Sequence, residues 1–340
     1  MTDKKNLHRW FKIFFVMVGL FGLVQIIKNY GIDHIIEEAG RSGPALLLLS
    51  LTFIPTLLCY ATAWLLATNH DKMNNQISFV RKIFIFSRYT AMSISWNNLT
   101  PFLKIGGEPI KYMMLKRHMP KADALASTIN YNIIHLLATA VSFIICSIVL
   151  IVFYPMNSVF IYATGLLAFF FVCILILGFK AMKSTFVTNS KRHHVRAIRL
   201  FMVNLQIGMR RLIFFYNKNS KAFVLSLTID LVARLVEGIT FYFGFKMINH
   251  PISLLSASLL DVGRTFIDTL FFFIPYQMGS REEGVHFFME KIMLIDSQGF
   301  LTVVLFYRFV EIFWIAVGYT LWVSSRSSVN EPRVKSALFS

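Results

Sequence analysis

Three groups of ionisable residues lie where the surrounding chain is apolar, and their spacing limits what they could do. Glu108 follows Gly106 and Gly107 in the stretch 97–108, which reads NNLTPFLKIGGE. The glycines allow close backbone approach and positive φ. A carboxylate there could pair with a cationic head group or carry a coupling proton. The competing reading is an interfacial Glu paired with Lys104, Lys111 or Lys116. Arg281, Glu282 and Glu283 are adjacent in the stretch 275–283, PYQMGSREE. Neighbours on a helix point in different directions, so one of these two carboxylates is expected to face inward. Arg308 and Glu311 stand at i,i+3 and share a helix face, and Arg234 and Glu237 repeat that spacing. Such a pair is either an ion pair of the fold or contains an arginine whose planar fork takes a lipid phosphate. Arg308 is the better phosphate candidate because it follows the second polar stretch directly.

The remaining ionisable residues carry weaker signals. Asp261, Arg264 and Asp268 fall on one helix face and are expected to neutralise one another. Arg88 can snorkel toward an interface. His135 is either a packed, hydrogen-bonded histidine or a titrating group. His193 and His194 lie in a basic segment and read as surface residues. Cys59, Cys146 and Cys173 sit singly in apolar runs with no metal-ligand spacing. No GxSxG, HExxH, Walker or dinucleotide motif occurs, which argues against an ATP-driven pump. No cofactor or metal is expected.

These residues need a scaffold that tolerates them. Of 340 residues, 56% are hydrophobic and 15% charged, and phenylalanine occurs 35 times. A soluble chain carries about 25% charged residues, and the apolar runs here approach the ~20 residues of a membrane span. The sequence predicts an all-α polytopic membrane protein. The net charge of +17 is unevenly placed. Lys and Arg in short loops mark the cytoplasmic side and suit anionic lipid. No basic-aromatic soluble module is present to bind nucleic acid.

Charge counting assigns about six full spans, at 11–27, 44–68, 122–153, 159–179, 222–248 and 300–323. Pro55 is expected to kink the second. A short interfacial helix is expected within 31–43, and a basic amphipathic helix at 195–215 inside the acid-free cytoplasmic segment 180–221. Both 83–118 and 253–295 enter and leave on one side and are read as re-entrant hairpins of opposite orientation. Irregular backbone at membrane depth is tolerated where it is buried in protein or lines a wet cavity. Residues 1–323 then form one transmembrane domain. The tail 324–340 is expected to be disordered, and both termini to face the cytoplasm across the inner (plasma) membrane. Opposed hairpins are the signature of an inverted repeat with a midplane site. Pro101, Gly106, Gly107 and Glu108 parallel Pro275, Gly279, Ser280, Arg281 and Glu282. Tyr131, Asn132 and His135 parallel Tyr307, Arg308 and Glu311.

The pattern N-x-L-x-P-x-x-x-x-G-G-E-x-x-K over 97–111, followed by basic residues and a long span, resembles the lysylphosphatidylglycerol synthase transmembrane family of flippase-like proteins. Pro275, Gly279 and Glu282 are similar to the proline, glycine-rich step and glutamate of that family's second half. The resemblance covers roughly 7–323 and selects Glu282 over Glu283. Two departures stand out. The glycine-rich step is Met278-Gly279-Ser280-Arg281 here, and Asn132 and His135 stand where the family often has Arg and Asp. The soluble lysyl-transferring domain of some members is missing from this sequence. The resemblance therefore implies lipid translocation, or lipid handling beside a lipid-modifying enzyme, and not aminoacyl transfer by this chain.

The expected function is a flippase or transporter for a phospholipid or lipid-linked, anionic head group. The alternative is a membrane-embedded enzyme, or a subunit or scaffold for lipid-linked aminoacyl or glycosyl transfer. The expected substrate-binding set is Asn97, Asn98, Pro101, Gly106, Gly107, Glu108, Lys111, Gly279, Arg281, Glu282, Arg308 and Glu311.

Overall fold

The computed structural model describes residues 43–68, 77–100, 106–154, 219–272, 279–295 and 299–327, with a few isolated positions between them. The expected spans 11–27 and 159–179 lie outside the described residues, apart from a few isolated positions of the latter. So do the interfacial helix, the basic amphipathic helix, Pro101, Pro275 and the tail from residue 328. Among the described residues the regular structure is entirely helical.

The chain enters through α1 (Gly43–Leu51) and α2 (Phe53–Leu66). The helix is interrupted at Thr52, beside the Leu51 carbonyl that Pro55 cannot bond for want of an N–H, so the disturbance falls where Pro55 is expected to produce it. The Thr52 hydroxyl donates to the Leu49 carbonyl at 2.6 Å and meets the Thr240 hydroxyl at 3.0 Å. Next come α3 (Phe79–Leu99), α4 (Gly107–Leu115) and α5 (Lys121–Phe153). Ser78 caps α3, its Oγ accepting the Arg81 N–H at 3.4 Å, and Pro120 fixes the entry to α5. The second half holds α6 (Ser220–Glu237), α7 (Ile239–Met247), α8 (Leu254–Leu270), α9 (Ser280–Phe287) and α10 (Phe300–Ser327). α9 runs on into a π-helical turn, Phe288–Ile292.

Among the described residues, three helical segments are long and apolar enough to cross a membrane: Gly43–Leu66, Lys121–Phe153 and Phe300–Ser325. Their bounds follow the predicted spans closely. The span predicted at 222–248 instead breaks at Gly238 between α6 and α7. There the backbone closes on α8, and a Cβ would collide with the Ser258 backbone. That close approach, rather than chain flexibility, is why glycine stands at the break.

Between apolar helices in lipid, association rests on close packing and interhelical hydrogen bonds. Both occur where α3 meets α10. Gly318 lies against the Ala91 carbonyl and Ser95, and the Ser95 hydroxyl donates to the Ile315 carbonyl at 2.8 Å. The two halves interlock. α3, which precedes the first helix break, packs on α10, and α8, which precedes the second, packs on α5. One core gathers around Trp64, Phe86, Met114 and Ile134, and another around Phe241, Phe245, Phe288 and Val303. Leu48, Phe84, Val152, Phe153 and Ile312 point outward and exposed. A water-soluble surface rarely presents so much apolar area, but a lipid-facing one requires it.

Candidate substrate site

At the first break, α3 ends and α4 begins with its backbone tied to side chains of the preceding helix. Asn97 Oδ1 accepts the Gly107 N–H at 2.7 Å, and Thr100 Oγ1 accepts the Gly106 N–H at 3.3 Å. Gly107 is packed so tightly that a Cβ would strike the Ser93 carbonyl. These contacts aim Glu108, in the first turn of α4, at α5. Its carboxylate takes Lys111 Nζ at 3.0 Å and the Asn132 side-chain amide. Lys111 Nζ also donates to Asn132 Oδ1 at 3.1 Å and lies 4.9 Å from the centre of the Tyr131 ring. Lys111 is therefore a buried member of this cluster rather than part of an exposed basic patch. Asn98 joins none of these contacts among the described residues.

The second break repeats the plan. Gly279 adopts φ +75, a conformation open to glycine, and its N–H donates to Glu282 Oε2 at 2.8 Å. Glu282 Oε1 receives Arg308 Nε at 2.9 Å and Nη2 at 2.8 Å. So each break places a glutamate in the first turn of a short helix, bonded to a polar residue of the long helix that follows. In the first half that partner is Asn132, and Lys111 supplies the positive charge that Arg308 supplies in the second.

Arg281 takes a different part from Arg308. It is almost wholly buried and grips Asp268 with Nε–Oδ1 at 2.7 Å and Nη2–Oδ2 at 2.6 Å, while Nη1 meets Glu311 Oε2 at 2.7 Å. Arg264 extends the network to Asp261 at 2.8 Å, Asp268 at 3.2 Å and Glu237 at 3.2 Å. Asp261, Arg264 and Asp268 do neutralise one another, as expected, but within a wider array. Tyr60 donates to Glu237 at 2.8 Å. Beyond Tyr60 lie Arg234 and His135, with Asp230 fully buried behind them. Tyr131 closes the circuit, touching His135 on one side and Lys111 on the other.

The network is closed in the middle and open at a few places. The side chains of Glu108, Arg308 and Glu311 are 27%, 20% and 20% exposed, and that of His135 is 40% exposed. Glu282 is buried and Glu283 exposed, so the pair of adjacent carboxylates divides as expected. Arg88 is exposed and reaches Ser324 Oγ at 3.3 Å. Sequence reasoning passed over Asp230, Tyr60 and Gln277. Asp230 had a usable signal: it stands four residues before Arg234 on the same face of an apolar helix, where a carboxylate needs a partner. Tyr60 and Gln277 had none.

The sequence profile of the lysylphosphatidylglycerol synthase TM region matches residues 9–318. The chain belongs to this family. It is also similar to a UPF0104 membrane protein of Methanocaldococcus jannaschii, 24% identical over 171 residues, which cover 50% of this chain and 68% of that protein. No solved structure matches the chain. The matched region of this lysylphosphatidylglycerol synthase TM-region protein contains both helix breaks and every residue of the network. Family membership and the apolar helices together make it a multi-pass membrane protein.

Proposed function

We propose that the protein is a flippase or transporter that moves a phospholipid or lipid-linked head group past the two helix breaks. One observation carries this reading. Each break presents a partly exposed ion pair, Glu108–Lys111 in one half and Arg308 with Glu282 and Glu311 in the other, and ring contacts through Tyr131, His135 and Tyr60 lead from the first toward the buried charge network of the second. Charged groups at membrane depth are costly and are retained chiefly where they serve a pathway. Arg308 is the group for a lipid phosphate: its fork now spans two carboxylates, and a phosphate oxygen can replace either bond. Glu108 is the group for an ammonium or hydroxyl on the head group, in exchange with Lys111.

In this reading 83–118 and 253–295 are re-entrant hairpins of opposite orientation within an inverted repeat of about six spans. Both termini face the cytoplasm across the plasma membrane. The interlocked packing of α3 on α10 and α8 on α5 suits rocking of one half against the other. The protein itself performs no group transfer.

Proteoliposomes carrying a fluorescent phosphatidylglycerol test this, with dithionite bleaching of the outer leaflet as the readout. Wild type should equilibrate the leaflets, and Arg308→Ala and Glu108→Gln should not, while both remain folded by size exclusion. Unchanged translocation in both variants contradicts the site. A chemically altered lipid in mass spectrometry of the same vesicles would instead establish an enzyme.

A further inference from the structure

We infer that Arg88 and Arg117 form a second lipid site, at the rim of the molecule, which grips the phosphate of an anionic phospholipid in the surrounding leaflet. The site lies apart from the helix breaks and does not depend on the transport reading.

The two arginines come from different elements and meet at one helix end. Arg88 stands on α3, and Arg117 follows α4. Arg88 Nη2 donates to the Ser324 hydroxyl at 3.3 Å and to the Leu321 carbonyl at 3.5 Å. Arg117 Nη1 donates to the Ser325 carbonyl at 3.4 Å. Both therefore close on the last turns of α10. The charges of both also reach the Tyr89 hydroxyl, which lies 2.7 Å from His118 Nε2. Cations suit a helix C-terminus, whose unpaired carbonyls carry partial negative charge. That accounts for one nitrogen of each side chain. Nε and Nη1 of Arg88 and Nε and Nη2 of Arg117 make no hydrogen bond, and neither arginine forms an ion pair among the described residues.

The contrast with the interior is sharp. Arg264, Arg281 and Arg308 each meet carboxylates of the protein, whereas Arg88 and Arg117 are exposed and take only neutral oxygens. Their anionic partner must come from outside the chain. Each guanidinium is anchored by one nitrogen and presents its remaining N–H groups outward, which suits the forked recognition of a phosphate. Two unmatched positive charges favour a ligand of net negative charge. The surroundings select a lipid over a free phosphate. Arg81, Phe84 and Arg88 stand at i, i+3 and i+7 and share a face of α3. Phe84 is 67% exposed on that face, and Val323, next to Ser324, is 46% exposed. A soluble anion has no use for an apolar strip beside its site, but an acyl chain does. The depth also fits, because the apolar span of α10 ends at Ser325, and head-group phosphates begin where the hydrocarbon ends. On the topology proposed above this is the cytoplasmic leaflet, whose anionic lipids attract basic side chains. A phosphate held by both arginines would brace the first hairpin against α10.

A lipid exposed at the rim exchanges with detergent, so it is measured by adding it back to delipidated protein. The test is native mass spectrometry of the full chain carrying Arg308→Ala, which removes the phosphate group's proposed partner at the second helix break, titrated with dioleoylphosphatidylglycerol. One saturable adduct should form. Its affinity should fall about fivefold with Arg88→Gln or Arg117→Gln added, and about thirtyfold with both. Unchanged affinity in the variant carrying both overturns the proposal. Dioleoylglycerol, which has the chains without the phosphate, should not form the adduct, and equal binding of it also overturns the proposal. Inorganic phosphate is the chain-free probe, and an adduct as tight as that of the lipid overturns the lipid assignment. Arg88→Lys with Arg117→Lys keeps both charges and loses the planar forks, so it should bind more weakly than the arginine parent; equal binding overturns forked recognition. This lysine pair decides the matter if the glutamine pair does not fold. Thermal unfolding gives an independent reading: phosphatidylglycerol should raise the midpoint of the arginine parent and leave that of the lysine pair nearly unmoved, and an equal rise in both overturns the brace.

Discussion

Replacing Arg281 by methionine should destabilise the protein, because this arginine ties two carboxylates together at the buried centre of the network. Arg281 is 1% exposed and makes three short charge-assisted bonds, two to Asp268 and one to Glu311. Removing one partner of a buried ion pair costs about 3–5 kcal/mol, because the other charge is left behind. Two contacts place this case at the lower end of that range. Asp268 keeps Arg264 at 3.2 Å, and Glu311 keeps Arg308 at 3.4 Å. The expected loss for Arg281→Met is therefore about 3 kcal/mol. Arg308 is itself one-fifth exposed, but its carboxylate partner Glu282 is 3% exposed and would keep only the Gly279 N–H. Arg308→Met should therefore also cost about 3 kcal/mol, the buried Glu282 charge being left without its arginine. Unfolding of the detergent-solubilised variants by heat or SDS measures both. Adding Asp268→Asn to Arg281→Met should cost less than the sum of the two single changes by about 1–3 kcal/mol, since the two residues are in contact. If Arg281→Met unfolds within 1 kcal/mol of wild type, Arg281 is not a clamp and the division between buried fasteners and accessible binders is wrong.

Gly107→Ala should cost about 1–3 kcal/mol through overpacking against the Ser93 carbonyl, read as a lowered unfolding midpoint, because neither backbone can give. Gly279→Ala should cost about 1 kcal/mol or more, read the same way, since its φ of +75 suits glycine alone. Glu283→Gln should change neither stability nor translocation, because Glu283 is exposed beside the buried Glu282. Burial, and then the charge of Arg117, holds the His118 imidazole below its ordinary value of 6.5. The folded protein thus disfavours a proton that the unfolded chain accepts, so stability should hold above pH 6.5 and fall as pH drops below it. His118→Gln should flatten that acid limb in a pH series of thermal melts.

Much of this arrangement was legible before any coordinates. The apolar runs 44–68, 122–153 and 300–323 became helices nearly as read, because length and hydrophobicity alone decide such segments. The two glycine-containing polar stretches were also legible, since Gly107, Glu108, Gly279 and Glu282 interrupt apolar sequence with residues that lipid does not tolerate unpaired. The break at Gly238 was not. It depends on the Ser258 backbone of α8, twenty residues downstream and unrelated in local pattern. Nor could spacing separate Arg281 from Arg308. Both looked like binding arginines, and only the burial of Asp268 behind Arg281 assigns it to the frame. Asp230 was missed for a similar reason: its partner His135 lies 95 residues earlier.

The most direct test is native mass spectrometry of the gently solubilised protein beside its Arg308→Ala variant. Wild type should carry a phospholipid or lipid-linked phosphate as a defined adduct, and Arg308→Ala should lose it while keeping the same charge-state distribution. An adduct of equal occupancy in both, or none in wild type, would contradict a phosphate-binding site at the second helix break.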